Sequence, residues 1–128
     1  MSDHLPPPDI ALHAADTPEL LEQARALLLE YADSLNVDLD FQDFADELAS
    51  LPGAYAGPQG VLLLAFVDGT VAGSCALRPL PESDYADAAE MKRLYVRPMF
   101  RGFGLGRLLT EGILDAARMA GYQHVLLD

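Results

Sequence analysis

Apolar residues recur at three- and four-residue intervals in three segments of the chain, and this spacing predicts three helices. The first runs from Asp16 or Thr17 to about Ser34, the second over Phe41–Leu51 and the third over Gly104–Ala120. The expected buried positions in these helices are Leu20, Leu21, Ala24, Leu27, Leu28 and Tyr31, then Phe41, Phe44, Ala45 and Leu48, then Leu105, Leu108, Leu109, Ile113, Ala116 and Ala120.

Short apolar runs between turn residues predict the strands. Val61–Val67 and Thr70–Leu77 flank an Asp-Gly pair, which is a strong signal for a hairpin of two antiparallel strands. Further strands are predicted over Asp9–Ala14, Met91–Val96 and Gln123–Leu127, while Pro79–Ala89 is interpreted as a loop because of its two prolines and its acidic residues.

The order of these elements predicts an α/β fold, classed as α+β in some schemes. The strand, helix and strand from Met91 to Leu127 imply a parallel crossover beside antiparallel neighbours, so the sheet is expected to be mixed and mostly antiparallel, flanked by helices. The length of 128 residues is that of a single domain. The last strand leaves one sheet edge uncovered, which predicts either a missing C-terminal part or an edge covered by another chain.

Composition excludes several kinds of site. Cys75 is the only cysteine, so neither an internal disulfide nor a thiolate zinc site is expected, and a small buried core residue is the preferred interpretation of it. The three histidines lack metal-ligand spacing, and no metal is predicted. The N-terminus lacks the features of a signal peptide and no apolar run is long enough to cross a bilayer, so we expect a cytoplasmic protein with no membrane partner.

Charge is distributed unevenly along the chain. The net charge is −12, but residues 90–128 carry +2 and residues 1–89 carry −14. An acidic protein is poorly suited to neutralise a nucleic-acid backbone, so no nucleic-acid partner is expected. The basic part instead favours a small polyanionic ligand, whereas the acidic part is interpreted either as a site for cations or as a surface that aids solubility.

The basic part contains the glycine-rich run Arg101, Gly102, Phe103, Gly104, Leu105, Gly106, which lies between a predicted strand and a predicted helix. Glycines let main-chain N–H groups approach a ligand, and the first helical turn offers unpaired donors, so an anion should bind there. The spacing fits neither the dinucleotide fingerprint nor the P-loop, because Arg107 and Leu108 follow the last glycine.

The run does fit the pattern [Gln/Arg]-x-x-Gly-x-[Gly/Ala] through Arg101, Gly104 and Gly106, after the strand sequence EMKRLYVRP and before a unit that closes with GYQHVLLD. In this the chain resembles the GNAT acyltransferase superfamily over about residues 89–128, and the preceding element order agrees. The resemblance implies one GNAT-type domain over residues 1–128 that moves an acyl group directly from acyl-coenzyme A, usually acetyl-CoA, to an amine.

The resemblance also implies a binding mode for the donor. Main-chain groups of Leu94, Tyr95 and Val96 would pair with the pantetheine arm, and the Val96 N–H would polarise the thioester carbonyl. N–H groups from Arg101 to Arg107 would hold the pyrophosphate. The side chains of Arg97, Arg101 and Arg107 are either further phosphate contacts or solvated surface charges.

Glu90 is the candidate general base, because one branch of the superfamily places its catalytic glutamate at this point of the strand. The alternative is a carboxylate paired with Lys92 or Arg93. The tyrosine that protonates the leaving thiolate in this family lies in a helix after the fifth strand, and none of Tyr31, Tyr85, Tyr95 and Tyr122 matches it. Tyr95 and Tyr122 are expected to be core or interface aromatics.

The expected acceptor is a primary amine of a small molecule or peptide. In this family the acceptor site is formed by the first two helices and the loop before the motif strand. Acidic residues there would favour a cationic amine: Asp38, Asp40, Asp43, Glu82, Asp84 and Asp87. Two other functions stay open: a non-catalytic acyl-CoA-binding module, and a fragment that is active only when another chain, such as a second copy in a homodimer, completes it.

Overall fold

The protein is built around a five-stranded sheet with the strand order β1-β2-β3-β4-β5. The computed structural model describes residues 6–35 and 41–127, without the side chains of 41 and 42. The strands are β1 (Ile10–Ala14), β2 (Val61–Val67), β3 (Thr70–Pro79), β4 (Ala88–Val96) and β5 (His124–Leu127), and the helices are α1 (Pro18–Ser34), α2 (Phe41–Ala49) and α3 (Leu105–Ala120).

Pairing within the sheet is antiparallel from β1 to β4 and parallel between β4 and β5. The predicted mixed and mostly antiparallel sheet is therefore confirmed. Short 3₁₀ turns at Gly53–Tyr55 and Pro98–Phe100 precede β2 and α3. The second of these turns carries the chain from the end of β4 to the glycine-rich run.

The sheet has a packed core on each face. Helix α3 covers one face, where four of its side chains spaced four residues apart are buried: Leu105, Leu109, Ile113 and Ala117. Helix α1 covers the other face with Ala24 and Leu27, which pack with Leu64 and Tyr95 of the sheet. Because both faces are covered, the central strands are continuously apolar, as the sequence of β2 illustrates.

Several element ends follow the local signals in the sequence. Thr17 caps α1 by accepting a hydrogen bond from the Leu20 N–H at 3.2 Å. Asp68 and Gly69 both have positive φ, 49° and 82°, which is the backbone of a two-residue hairpin turn. Gly121 ends α3 with a φ of 90°. The predicted hairpin and the predicted stop of α3 are confirmed.

Other boundaries differ from the prediction. The interpretation of Pro79–Ala89 as a loop is wrong at both ends, because β3 continues to Pro79 and β4 begins at Ala88. Ala88 pairs with His124 of β5, and Pro79 pairs with Ala89. Long-range pairing therefore overrides the local loop signal.

Smaller differences concern the helices. Helix α2 ends at Ala49 rather than Leu51, and α3 begins at Leu105. The predicted buried positions Ala45 and Ala120 are exposed, and Ala117 is buried in place of Ala120 because it continues the four-residue spacing. The predicted apolar position Phe41 and the predicted acceptor residues Asp38 and Asp40 lie outside the described residues or side chains.

Of the three residues interpreted as core or interface side chains, two are buried and one is half-buried. Cys75 is fully buried, and burial raises the pKa of its thiol to about 12, which suits a packing residue and not a nucleophile. Tyr95 is buried and Tyr122 is half-buried, with its hydroxyl donating to the Gln59 carbonyl at 2.7 Å. Among residues 6–35 and 41–127, no helix combines the length and hydropathy that crossing a bilayer requires.

Candidate active site

The loop between β4 and α3 exposes main-chain donors at the start of a helix. Gly102 and Gly104 adopt positive φ values of 97° and 76°, which are unfavourable for residues with a Cβ. The first helical hydrogen bond runs from the Leu108 N–H to the Gly104 carbonyl at 3.1 Å. The N–H groups of Leu105, Gly106 and Arg107 therefore have no acceptor within α3.

The space around this loop is open. A Cβ placed on Gly102, Gly104 or Gly106 would meet no atom within 4 Å. Open space above free N–H groups at the positive end of a helix dipole fits a phosphate group. The loop predicted to hold the pyrophosphate, from Arg101 to Arg107, thus offers main-chain donors beside open space.

The arginines around the loop have different partners. Arg101 donates from Nε to the Val96 carbonyl at 3.1 Å, which ties the loop to the end of β4. Arg107 is 87% exposed and pairs with Glu111 one helical turn later at 3.0 Å. Exposed pairs of this kind are weak, so Arg107 can turn toward an anion at little cost.

Arg97 is held against α1. It donates to both carboxylate oxygens of Glu30, at 3.0 and 2.6 Å, and to the Val71 carbonyl at 2.9 Å. Tyr95 donates its hydroxyl to Glu30 at 3.3 Å. The hydrogen bond from Arg97 holds the pKa of Glu30 below its usual value. Arg97 is therefore engaged away from the glycine-rich loop.

Strand β4 contains a bulge in its second half. Ser74 faces Tyr95 and Ala76 faces Lys92, so Cys75 alone lies opposite two residues, Arg93 and Leu94. The φ of Arg93 is 62°, in the left-handed region. The bulge lies between the candidate base Glu90 and the predicted donor-binding residues Leu94, Tyr95 and Val96.

The side chain of Arg93 is enclosed by α1 and α2. It makes two hydrogen bonds to Glu47, from Nε at 3.2 Å and from a terminal nitrogen at 3.1 Å. The guanidinium lies 5.9 Å from the ring centre of Tyr31 and 5.4 Å from that of Phe44. We call Arg93, Glu47, Tyr31 and Phe44 the Arg93 clamp.

Charge interactions in the clamp are strong because water is largely excluded. The side chains of Arg93 and Glu47 are 12% and 20% exposed. Burial is the largest single influence on the pKa of Arg93 and would lower it. The hydrogen bonds and the negative charge of Glu47, with a contribution from Tyr55, together outweigh burial and raise this pKa above its ordinary value. Burial, reinforced by the Glu47 carboxylate, raises the pKa of the neighbouring Tyr55.

Glu90 is paired with Arg78 on the adjacent strand. Arg78 donates from Nε to the carboxylate oxygen Oε1 at 2.9 Å, and one of its terminal nitrogens lies 2.8 Å from the same oxygen. The partner is thus neither Lys92 nor Arg93, the two residues named in the ion-pair interpretation, because the antiparallel register places Arg78 directly opposite. Arg78 leaves Oε2 of Glu90 for another donor.

Two cavities lie near the predicted acceptor residues. A cavity of about 270 Å³ lies between α2 and these strands and is lined by Asp43, Asp46, Glu47, Arg78 and Lys92 among others. A cavity of about 420 Å³ lies at the β3–β4 loop and is lined by Asp84 and Asp87. The two share no lining residue, so Asp43 is separated from Asp84 and Asp87, and the predicted acceptor residues that the structure describes do not form one site. No group of three potential metal-ligating side chains is found in the described part of the chain.

Sequence reasoning overlooked the Arg93 clamp and the role of Glu30. Their only local signal was the charge of Arg93 and Arg97 on either side of the apolar residues that end β4. A charged residue flanked by buried positions often has a buried partner. The partners themselves, however, lie 46 and 67 residues away in the sequence.

Comparison with known proteins gives a consistent family. A family model described as the acetyltransferase (GNAT) family matches residues 20–128. An N-acetyltransferase of Schizosaccharomyces pombe, itself described as uncharacterized, is 37% identical, and the match covers 95% of this chain and 74% of that protein.

Solved structures agree on the fold. A GNAT-family acetyltransferase from Staphylococcus aureus superposes with a TM-score of 0.76 at 17% identity, covering 93% of this chain and 72% of that one. An aminoglycoside N-acetyltransferase in complex with CoA gives a TM-score of 0.68 at 16% identity, covering 96% of this chain and 78% of that one. At such identities the likeness establishes the fold alone.

Proposed function

Because the chain belongs to the acetyltransferase (GNAT) family, a family of transferases, we propose that it moves an acetyl group from acetyl-CoA to a primary amine of a small molecule or peptide. The observation that carries this proposal is the loop from Arg101 to Arg107, where free N–H groups at the start of α3 border open space. The CoA bound to the structurally similar aminoglycoside N-acetyltransferase supports acetyl-CoA as the donor.

The proposed donor lies along β4 with its pyrophosphate at the glycine-rich loop. Main-chain groups of Leu94, Tyr95 and Val96 pair with the pantetheine amides, and Leu94 is 39% exposed at this point of the strand. The amine attacks the thioester carbonyl, an N–H of β4 stabilises the oxyanion, and the CoA thiolate leaves as the amide forms. The hydroxyls of Tyr95 and Tyr122 already have partners in the structure.

The distance along β4 distinguishes two oxyanion donors. At about 3.3 Å per residue in a regular strand, Val96 lies at most roughly 20 Å from Glu90 and Leu94 at most roughly 13 Å, and the bulge at Arg93 shortens both spans. A general base must reach the amine directly or through water. If Glu90 is the base, this spacing favours the Leu94 N–H over the predicted Val96 N–H.

We propose the cavity between α2 and β4 as the entrance for the acceptor amine. Arg78, which holds Glu90, lines it, so the candidate base borders the same space. The acidic side chains of α2 suit a cation, whereas Lys92 on the opposite wall disfavours one. In an acceptor that carries both an amine and a carboxylate, the amine would face the acidic side chains of α2 and the carboxylate would face Lys92.

The function is tested by measuring CoA thiol release with acetyl-CoA and a panel of cationic, neutral and zwitterionic amines. We expect release that depends on the added amine, with zwitterionic amines preferred over polyamines. Calorimetry with acetyl-CoA runs in parallel. Tight binding without turnover for any amine would instead support the non-catalytic acyl-CoA-binding module, and absence of binding would contradict both.

Replacing Glu90 with glutamine should lower kcat and remove the acidic limb of the pH–rate profile, because the amide cannot accept the proton of the amine. We expect a loss of about 10²-fold, at the lower end of general-base effects. The matched variant Arg78→Gln removes the ion-pair partner of Glu90 and one side chain of the acceptor cavity but leaves the carboxylate, so it should retain the acidic limb. A Glu90→Gln enzyme with the wild-type pH profile would exclude Glu90 as the base.

A further inference from the structure

We propose that Arg93 is a positioning residue for acyl transfer. The Arg93 clamp holds β4 in its bulged form and so fixes the main-chain donors of Leu94 and Val96 in place. The inference rests on the proposed function, since that function assigns the acyl group to this stretch of β4. Its basis is a strained backbone, a buried side chain and the register of one strand pair.

The bulge is unfavourable on local grounds. A φ of 62° crowds the Cβ of Arg93, and glycine or asparagine is the usual residue in such a conformation. If β4 were a regular strand, Arg93 would not need a positive φ. Cys75 would then face one residue of β4 in place of two, and the pairing with β3 would shift by one residue. Some other interaction must therefore hold the left-handed conformation.

Loss of the bulge would change the end of the strand. Side chains alternate between the two faces, and N–H groups alternate between the two edges, so a shift of one residue reverses both. Tyr95 would leave the face where it meets Glu30 and α1. The N–H groups of Leu94 and Val96 would both point to the opposite edge of β4. The carbonyl of the acyl group would then lose its hydrogen-bond donor.

The side chain of Arg93 provides the compensating interaction. Its planar fork makes two hydrogen bonds to Glu47 and lies between Tyr31 and Phe44, which fixes both its position and its orientation. With 12% of its surface exposed, it is engaged too fully to serve as a phosphate contact. Arg93 therefore acts on the substrate through its own backbone.

The clamp also connects β4 to the proposed acceptor site. Glu47 lines the cavity between α2 and β4 while it holds Arg93. An acceptor in that cavity thus lies against the same carboxylate that keeps the bulge in place. Glu47 therefore connects the proposed acceptor cavity to the part of β4 that would bind the acyl donor.

Two double variants separate the bulge from the stability of the ion pair. Both replace Glu47 with leucine, so that no buried carboxylate is left unpaired. The first variant also carries Arg93→Val, and a β-branched residue disfavours a positive φ. The second carries Arg93→Gly, which removes the side chain but tolerates a positive φ. Arg118→Ala combined with Asp115→Ala, an exposed ion pair of α3, is the control.

We expect kcat to fall by about 10²-fold in the valine variant, because misplacement of about 1 Å has that effect on catalysis. The KM for acetyl-CoA should change by less than roughly threefold, since the pyrophosphate loop is untouched. The glycine variant should recover most of kcat. A valine variant with wild-type kcat, or a glycine variant as impaired as the valine variant, overturns the proposal.

Crystal structures of both variants give a readout that is independent of turnover. The valine variant should place one residue opposite Cys75, and the glycine variant should keep two. If the valine variant does not fold, Arg93→Ala in the same background replaces it, because alanine also carries a Cβ. If wild-type protein neither binds nor uses acetyl-CoA, the proposed function fails. A bulge retained in the valine variant, or in the alanine variant that replaces it, overturns the positioning role separately.

Discussion

Replacing Gly104 with alanine is expected to weaken acetyl-CoA binding by about tenfold or more, which corresponds to at least ~1.4 kcal/mol. The added Cβ points into the open space that we assign to the pyrophosphate, and it disfavours the φ of 76° that aims the following N–H groups. Isothermal calorimetry with acetyl-CoA and with CoA measures the change.

The matched control for this prediction is Gly121→Ala at the other end of the same helix. Gly121 also has a positive φ, 90°, and a Cβ there also meets no atom within 4 Å. Both variants should lose stability by about 1–2 kcal/mol from the left-handed backbone. Only the Gly104 variant should lose affinity, and equal affinities in the two variants would exclude this loop as the pyrophosphate site.

Replacing Glu47 with alanine is expected to lower the free energy of unfolding by about 3 kcal/mol, at the lower end of the range for breaking a buried ion pair. The change leaves the Arg93 guanidinium, 12% exposed, without its bidentate partner between two aromatic rings. Urea unfolding followed by circular dichroism measures the difference, and an unchanged m-value would assign it to stability.

Asp115→Ala is the control for Glu47, because it breaks an ion pair whose side chains are 73% and 71% exposed. Exposed pairs contribute little, so this variant should unfold like the wild type. The free energy of unfolding of Glu47→Gln should lie between those of Glu47→Ala and Asp115→Ala, since its amide oxygen still accepts a hydrogen bond. If Glu47→Ala and Asp115→Ala have equal stabilities, the clamp does not stabilise the fold.

The sequence predicts the glycine-rich loop and its flanking elements well because their signals are local. Positive φ at Gly104, the start of α3 and the strand before it all lie within a short segment, and the glycine spacing alone excludes two other nucleotide-binding motifs. The three- and four-residue spacing of apolar residues likewise predicts the three helices, and the Asp68–Gly69 pair between two apolar runs predicts the hairpin. Periodicity and turn chemistry depend on neighbouring residues only.

The rest depends on residues that are distant in the sequence. The first residues of β4 read as a loop because nothing nearby reveals that Ala88 pairs with His124. The partner of Glu90 is set by the register with β3, and a register cannot be read from one strand. The bulge at Arg93 could not be predicted for the same reason. A bulge is defined by the pairing of two strands, so the sequence of β4 alone does not indicate it.

The two long helices end differently at their N-termini, and the difference links substrate binding to stability. Helix α1 satisfies a first-turn donor through the Thr17 hydroxyl, whereas α3 begins after Gly104, which has no side chain to do so. A glycine at the N-cap is less stabilising than a capping hydroxyl by roughly a few tenths of a kcal/mol. In the proposed complex the phosphate oxygens take the place of the missing hydroxyl. The donor substrate would then be the N-cap of α3, and the first turn of this helix would be the part of the fold that acetyl-CoA orders most.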